Sequence, residues 1–524
     1  MGELLHADGL MSDRWDRRLA ERNTLFLDVS TGQWWTPAGK TGHLSWREGS
    51  AFEVLSGVLP DCARVFTVGA HRPGVTPDRV RRYGSEAAAA RSWFLEDVPE
   101  GWRDKGHYLK DDNAMVGHWE HPETGRTLEV QRASVWFGEV TDARAAAYSW
   151  LMLREAIARE FPGAVPLSTP ATTGRDLWRR TIPAKGQGFP VLSTELRQLI
   201  HATSGQARTE LIRHDASAVP LVSQYDMRVA YATLTWGMPV GAPTMVTGRM
   251  WQAMDDETQE ATMRRRGRWL VRATVPSTWD HIGILPVPAG DGWEWPATPG
   301  TSFTSWCSAS EAQLAIGHGW RVEVIEGFHF VEGKPLNLWK DKVMRIWSGE
   351  GEGEQPPEIR RMVKAAARAM ILGTIGAFAA RGHVLTHSTS DPDALPGDAP
   401  VQEVGGRYVW QEETPRTEWM ERASHPEWSA EIWGRCRARL LSGPEVAPGV
   451  RTGALHVPAG SVIGLRTDGL TLAGDPGWPD DGKPGRFRLV GRIRHEGITW
   501  PQTHAELSKL KGLAEGAFET GEFQ

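Results

Sequence analysis

Apolar and polar positions along this chain resolve into short strand-like runs and three longer helical stretches, with no internal repeat. Residues 24–30 (Thr-Leu-Phe-Leu-Asp-Val-Ser) form an apolar run of strand length with Asp28 near its end. Residues 127–130 and 134–137 read as further strand, being rich in β-branched and aromatic side chains. From 142 to 160, Ala, Leu and Ile recur at helical spacing, which predicts an amphipathic helix. A second helix is predicted over 357–372, ending at Gly373-Thr374-Ile375-Gly376, where small residues would let a base pair approach the backbone. A third, amphipathic helix over 427–441 carries Arg435, Arg437 and Arg439. Residues 183–191, the Gly- and Glu-rich 349–357 and the polar 386–400 read as linkers or loops. Asp468-Gly469, set between apolar runs, is a strong hairpin signal.

At 524 residues the chain is long enough for about three or four domains. Its formal net charge of −6 does not by itself suggest a nucleic-acid partner. Charge is uneven, however. Arg264, Arg265, Arg266, Arg268 and Arg272 form one basic run, and Lys483, Arg486, Arg488, Arg492 and Arg494 another, enough to track phosphates. The 26 tryptophans are read as core packing, and none is assigned to base stacking. Three scattered cysteines, Cys62, Cys307 and Cys436, suit neither a disulfide framework nor a zinc site, so a reduced, cytoplasmic setting is expected. No signal-peptide pattern opens the chain and no apolar run is long enough to span a bilayer, so no membrane association is expected.

Two aspartates carry the candidate chemistry. Asp226 lies in Tyr225-Asp226-Met227-Arg228-Val229-Ala230-Tyr231 and Asp468 in Arg466-Thr467-Asp468-Gly469, with Lys364 and Arg368 on the predicted helix between them. In-line transfer at phosphorus is promoted by two metal ions about 3.5–4 Å apart. Mg²⁺ binds through one or two protein carboxylates plus water and substrate phosphates, so two aspartates from distant segments make a minimal site. Lys364 and Arg368 are four apart and share a helix face, and the planar Arg fork suits phosphate oxygens. The plainer readings are a hairpin turn at Asp468-Gly469 and a solvated helix face at Lys364 and Arg368.

In this order the residues resemble family B DNA polymerases, closest to the short protein-primed polymerases of phages and linear replicons. The segment 225–231 resembles the first palm motif, Asp-x-x-Ser-Leu-Tyr, with Tyr231 five residues after Asp226 in the place of the steric-gate tyrosine. The segment 364–376 resembles the fingers motif Lys-x-x-x-Lys-x-x-x-Asn-Ser-x-Tyr-Gly, with Arg368 where the principal dNTP-binding lysine stands. Thr467-Asp468-Gly469 resembles Asp-Thr-Asp-Ser, and residues 300–306 through 326–330 look like the palm strand, helix and strand that precede the fingers. Ser204-Gly205-Gln206 sits where a Tyr-x-Gly-Gly linker touches template, and Arg486-Phe487-Arg488 loosely matches the primer-gripping Lys-x-Tyr.

The resemblance implies a mixed α/β and α+β multidomain chain with a right-hand polymerase of palm, fingers and thumb. It makes Asp226 and Asp468 catalytic and Asp226, Met227 and Asp468 metal ligands for two Mg²⁺ ions, with Mn²⁺ as the substitute. Tyr231, Lys364 and Arg368 would bind the dNTP, and Ser204, Gly205, Arg486 and Arg488 would bind DNA. The sequence also departs from the family. Arg466 replaces the first aspartate of the third palm motif, and Leu372, Gly373 and Ile375 replace Asn, Ser and Tyr in the fingers, so looser base-pair checking is expected. Residues 26–31 resemble the first exonuclease motif, Phe-x-Asp-x-Glu-Thr, but Ser30 stands in place of the catalytic glutamate. Asp142 matches the last exonuclease aspartate, with Gly138 where a tyrosine belongs. Proofreading is therefore expected to be lost from a ribonuclease-H-like amino-terminal domain.

The expected organisation is 1–190 exonuclease-like, 191–348 first part of the palm, 349–382 fingers, 383–478 second part of the palm with an inserted loop, and 479–524 a small thumb. The expected function is template-directed DNA synthesis for a phage, plasmid or other mobile element. Its expected partners are primer-template DNA, dNTPs and a terminal protein or other replication protein. A non-catalytic polymerase-like protein that binds DNA ends or a terminal protein is the second reading, and a template-independent nucleotidyltransferase the third.

Overall fold

The computed structural model describes residues 24–44, 64–69, 75–95, 101–109, 115–182, 189, 191–205, 207–215, 217–290, 292–350, 353–404, 406–414 and 423–520. The chain divides into two compact units, Met1–Gly186 with Leu338–Ser424, and Gln187–Asn337 with His425–Gln524. These breaks differ from the expected boundaries, since the segment 383–478 is shared between the units and the helix of 357–378 belongs to the first. No described helix is long and apolar enough to cross a membrane.

In the first unit, Thr24–Asp28 is a strand buried over most of its length. It pairs in parallel with Arg64–Val68, which pairs in parallel with Arg126–Arg132, as the continuous apolar run requires. Antiparallel neighbours bring this sheet to eight strands. The helix Ala143–Glu160 is capped by Asp142, whose Oδ1 accepts from the amides of Arg144 (2.8 Å) and Ala145 (3.1 Å). It sends Trp150 against Phe66 (ring centroids 4.9 Å apart) and Phe26 (6.1 Å). Ser134–Phe137, expected as strand, is instead a single helical turn. Packing overrides β-propensity here, because the turn sets Trp136 against Trp150 at 5.1 Å and lets its indole N–H donate to the Ser168 carbonyl at 3.2 Å.

The helix expected over 357–372 continues to Phe378, with Pro357 at its first turn. Gly373 does not end it. A Cβ at Gly373 would lie 3.0 Å from Ala171, and one at Gly174 would lie 1.9 Å from the Thr374 hydroxyl oxygen. The small residues thus let this helix approach Pro170–Arg179. That contact occupies the face of Gly373 and Thr374 that had been expected to meet a base pair. Part of the expected loop 386–400 is strand, since His383–Thr389 pairs with Arg407–Thr414, which also pairs with Val401–Val404.

The second unit holds two larger antiparallel sheets. One runs Phe487–Arg494, Leu221–Met227, Gly469–Ala473, Val462–Arg466, Thr209–Leu211. The other runs Met238–Val246, Arg321–Gly333, Gly267–Thr274, Ser302–Ser308. Helix Ala309–Gly317 follows the last of these, so the strand, helix, strand order expected across this region is present. The carboxy-terminal helix His504–Thr520 lies on the strands Phe487–Arg494 and Leu221–Met227. Glycines permit the approach, for a Cβ at Gly464 would sit 2.7 Å from Leu507 and one at Gly491 3.0 Å from the Ala514 backbone. The segment expected as a small thumb therefore contributes a strand to the sheet that carries Asp226.

Pro426–Leu441, expected to be amphipathic, is buried on nearly every side, Arg435 and Arg437 included. The guanidinium of Arg437 donates from Nε to Glu311 Oε1 at 2.6 Å and from Nη2 to the Ser204 carbonyl at 3.0 Å. Arg435 donates to Glu431 (2.7 Å) and to the carbonyls of Leu234 and Gly237 (both 2.9 Å). Charged hydrogen bonds to otherwise orphaned carbonyls are what let these arginines point inward. The basic run at 264–272 also disperses into separate contacts. Arg264 pairs with Glu260, Arg266 with Glu332 and Arg272 with Glu323, while buried Arg268 donates to the carbonyls of Thr203 and Trp306. A continuous phosphate-tracking surface is not what these arginines form.

Candidate active site

The strand Leu221–Met227 delivers Asp226 near its end, in register with Gly469 on one side and Arg488 on the other. Residues directly opposite in an antiparallel pair project to the same face, so Arg488 stands beside Asp226. The Met227 amide donates to the Asp468 main-chain carbonyl at 3.0 Å. Asp226 and Asp468, 242 residues apart in the sequence and on opposite sides of the expected fingers, are thereby brought to adjoining strand ends.

Arg466 pairs with Gly469, so the hairpin turn is Thr467-Asp468, one residue earlier than the Asp-Gly signal suggested, and Gly469 is already strand. Thr467 (φ +58°) and Val229 (φ +50°) are the non-glycine residues with left-handed φ among the described residues. One precedes Asp468 and the other follows Asp226 by three. A β-branched residue in this region is costly, on the order of 1–3 kcal/mol each, and persists only where its surroundings over-determine it.

Those surroundings are specific at Thr467. Its amide donates to the Arg208 carbonyl at 2.7 Å and its hydroxyl to Asp468 Oδ1 at 2.7 Å. Its carbonyl accepts from the Cys436 thiol at 3.6 Å, and Cys436 in turn accepts from the Tyr231 hydroxyl. Burial first, and then the Asp468 charge, pushes the Cys436 thiol up to about 12. Burial likewise raises the Tyr231 phenol far above its ordinary range, with Cys436 and Asp468 adding to it. Both groups therefore stay neutral and serve as donors, forming a chain from Tyr231 through Cys436 and Thr467 to the Asp468 carboxylate. Cys436 carried no signal in the sequence beyond being a lone cysteine. Tyr231 itself is only 8 % exposed.

Among the described residues no group of three His, Cys, Asp or Glu is placed to hold a metal. The donors at hand are hard oxygens from two carboxylates, with the Met227 main chain adjoining. This set fits Mg²⁺, which completes its shell with water and substrate phosphates, and does not suit a metal that needs a closed protein cage. Arg466, exposed at the hairpin, and Arg488 add positive charge around the pair. Beside Asp226 lies a cavity of about 330 Å³ bounded by Gln224, Arg466 and Thr471 and by His504, Ser508 and Lys511 of the carboxy-terminal helix.

The other expected site residues are placed differently. Ser204 and Gly205 are buried, the Ser204 carbonyl bound by Arg437 and a Cβ at Gly205 only 3.1 Å from the same guanidinium, so neither offers a surface to template. Arg486 donates to the Glu445 carbonyl at 2.6 Å and lies 3.7 Å from Asp481. Lys364 and Arg368 belong to the first unit. Arg368 is exposed, and the Lys364 ammonium lies 5.3 Å from the Trp347 ring, both on the side of their helix away from Val363, Ala367 and Met370. At the end of the first strand, Asp28 Oδ1 accepts from the Ser30 amide (2.8 Å) and hydroxyl (2.6 Å), and its Oδ2 from the Thr31 hydroxyl (2.8 Å). Burial alone would raise its pKa, but these bonds outweigh burial and hold it below the ordinary carboxylate value. Asp28 thus closes a turn and Asp142 caps a helix.

No protein-family model matches the sequence, and no curated protein does. Solved structures of phi29 DNA polymerase do match. The orthorhombic crystal form aligns at 13 % identity and a TM-score of 0.54, covering 90 % of this chain and 86 % of that one. The post-translocation binary complex with primer-template DNA aligns at 13 % identity and 0.55, covering 90 % and 85 %. The ternary complex with primer-template DNA and incoming nucleotide substrates aligns at 14 % and 0.53, again covering 90 % and 85 %. At such identity the likeness speaks to architecture: this chain has a mixed α/β multidomain fold similar to that of phi29 DNA polymerase.

Proposed function

We propose that this chain is a template-directed DNA polymerase that adds dNTPs to a primer 3′-hydroxyl at a divalent-cation site formed by Asp226, Asp468 and Met227. The observation that carries the reading is the meeting of Asp226 and Asp468 at adjoining strand ends, next to two strained residues, in a fold similar to that of a DNA polymerase. When bound, a pair of Mg²⁺ ions would supply Lewis acidity to the attacking and leaving oxygens. The chain's own part is to place two anionic ligands with little freedom. The Thr467 hydroxyl fixes one Asp468 oxygen, and the ladder of Leu221–Met227 fixes Asp226. Lys364 and Arg368 are assigned to the triphosphate, and Arg488 to a phosphate of the growing strand. The proposed partners are primer-template DNA and dNTPs, with a terminal protein as a further candidate and a mobile element as the setting.

The amino-terminal unit is proposed to lack proofreading. Ser30 supplies no anion, and both Asp28 oxygens are engaged by Ser30 and Thr31. Release of a mismatched 3′ nucleotide should be undetectable in a gel-based exonuclease assay, and Asp28→Ala should leave that background unchanged. Robust release that disappears in Asp28→Ala would contradict this.

Tyr231 is assigned as the gate against the 2′-hydroxyl, a role in which its fixed ring excludes the group that distinguishes RNA from DNA precursors. Tyr231→Val should raise ribonucleotide incorporation relative to deoxyribonucleotide incorporation by about tenfold or more, about 1.4 kcal/mol in selectivity. Single-turnover rates with a matched dNTP and rNTP read this out. An equal fall with both sugars would reduce Tyr231 to its bond with Cys436.

Arg466 and Arg488 beside the carboxylates favour a second reading, a non-catalytic DNA-end-binding protein. Primer extension with and without template separates the alternatives. Extension only with template supports the polymerase, extension of bare ends an untemplated transferase, and binding without extension the non-catalytic protein.

A further inference from the structure

In the first unit an imidazole stands between two carboxylates. His387, on the strand His383–Thr389, directs Nδ1 at Asp104 Oδ1 (3.0 Å) and Nε2 at Glu412 Oε2 (3.2 Å). Asp104 belongs to Arg103–Asp104, the edge strand of the amino-terminal sheet, whereas Glu412 lies on Arg407–Thr414, the partner strand of His387. The other Asp104 oxygen accepts from the Ser388 amide at 2.6 Å. A two-way backbone bridge joins His107 to Thr386, each amide donating to the other's carbonyl at 2.8 Å. Gly106, with φ +88°, permits the approach, since a Cβ there would sit 2.7 Å from the His387 ring.

A neutral imidazole carries one N–H and one lone pair, so it satisfies one carboxylate while turning its lone pair on the other. An imidazolium donates to both. The geometry therefore favours the protonated ring, and the Trp410 indole stacked on it (centroids 5.3 Å apart, 14° between planes) adds an attraction for a cation. The ionisable groups that face the ring are Asp104 and His107 on the amino-terminal side and Glu412 on the partner strand. Arg407, on that strand too, reaches the Ser388 hydroxyl at 3.3 Å. Burial holds His107 neutral, down to about 4, and its Nδ1 accepts from the His118 amide at 3.0 Å, so it adds no competing charge. The hydrogen bond to Asp104, with the two carboxylate charges, outweighs burial and raises the His387 pKa above its ordinary 6.5. Burial alone would raise Asp104, but its bond to His387 and its other partners bring it below its ordinary 3.8.

We infer that Asp104, His387 and Glu412 form a proton-operated latch that fastens the three-stranded sheet of His383–Thr389, Arg407–Thr414 and Val401–Val404 to the edge of the amino-terminal sheet. With a proton on each ring nitrogen the latch is closed. Loss of one proton sets a lone pair against a carboxylate and opens one of the two contacts. A histidine whose folded pKa is raised contributes stability that is fully present below the unfolded value of 6.5 and is lost as pH rises through the folded one. Asp104, whose folded pKa is lowered, loses its contribution at the acid end, as pH falls through that lowered value. The sheet is thus held most tightly around pH 6, between the two. The strand His383–Thr389 follows the helix Pro357–Phe378, which carries Lys364 and Arg368, so the latch also fixes the exit of that helix.

The test is hydrogen exchange of the full chain, followed by mass spectrometry at about pH 6 and about pH 9 and corrected for the intrinsic pH dependence of exchange. Protection of residues 383–389 should fall by about tenfold at the higher pH, the low end of what a charged hydrogen bond contributes. Protection of the helix Ala143–Glu160 in the same unit should stay constant. Glu412→Gln changes a side chain that is 56 % exposed and gives the neutral ring an amide that can donate to it, so most of the difference should disappear. His387→Gln should abolish it. In NMR of ring-labelled histidine, the His387 signal, identified by its absence from His387→Gln, should titrate above 6.5 in the wild-type protein and lower in Glu412→Gln. Equal loss of protection in 383–389 and 143–160, a difference that persists in His387→Gln, or a His387 titration at or below 6.5 would each overturn the latch. None of these readouts uses DNA or nucleotide, so failure here is distinct from failure of the polymerase reading.

Discussion

Asp226→Ala and Asp468→Ala should each lower templated incorporation by at least about a thousandfold, about 4 kcal/mol of transition-state stabilisation. DNA binding should remain within a few-fold. Each change removes one of the two carboxylates assigned here to offset the charge of the metal ions and phosphates. Asp468→Asn refines the test, because an amide oxygen still accepts from the Thr467 hydroxyl and preserves the turn. If Asp468→Asn fails as badly as Asp468→Ala while unfolding at the wild-type midpoint, the carboxylate charge is what matters. Single-turnover extension of a primed template measures this, and near wild-type rates in either alanine variant would refute the site.

The largest effect on stability is expected at the pair Arg437 and Glu311, each 1 % exposed in its side chain. Arg437→Met should cost about 3–5 kcal/mol in urea unfolding, because it strands a carboxylate in the core. Glu311→Leu combined with Arg437→Met should recover much of that, leaving mainly the lost capping box at Ser308. Burial by itself would raise the Glu311 pKa, but the adjacent Arg437 charge and hydrogen bond, helped by Arg268, bring it below its ordinary 4.5. A carboxylate with a depressed folded pKa stabilises above its unfolded value and loses that contribution as pH falls through the folded one. The wild-type protein should therefore lose stability progressively below about pH 4.5, and Glu311→Leu with Arg437→Met should lose less. An Arg437→Met protein as stable as the wild type would contradict the burial of this pair.

Much of the site's skeleton was legible because strand pattern and chemistry coincide. Asp226 and Asp468 each adjoin an apolar run, and both runs became neighbouring strands. The helix of 142–160 and the strand, helix, strand order around Ser302–Ser308 were legible for the same reason, namely long and regular periodicity. What stayed hidden depends on partners far away in the chain. Gly373 reads as a helix stop until Ala171 is seen packed against it, and the arginines of Pro426–Leu441 read as a solvated face until Glu311 and the carbonyls of Leu234 and Gly237 receive them. Ser204 and Gly205 were read from a motif whose exposure no local pattern records. The left-handed conformations of Val229 and Thr467 run against their residue types, so nothing in the sequence could announce them. Cys436 gains meaning only from its place between Tyr231 and Thr467.

If Asp226 and Asp468 form a site for templated nucleotide addition, that addition must follow the template base and need a divalent cation. The most direct measurement is offering each of the four dNTPs singly to the purified full chain on a primed template with a defined next base, with Mg²⁺ and then with EDTA. The complementary nucleotide should be added above the other three, in a reaction dependent on Mg²⁺ and absent in Asp226→Ala. Addition that ignores the template base, or that survives in EDTA, would contradict it, as would no addition by the wild-type protein while it binds the primed template.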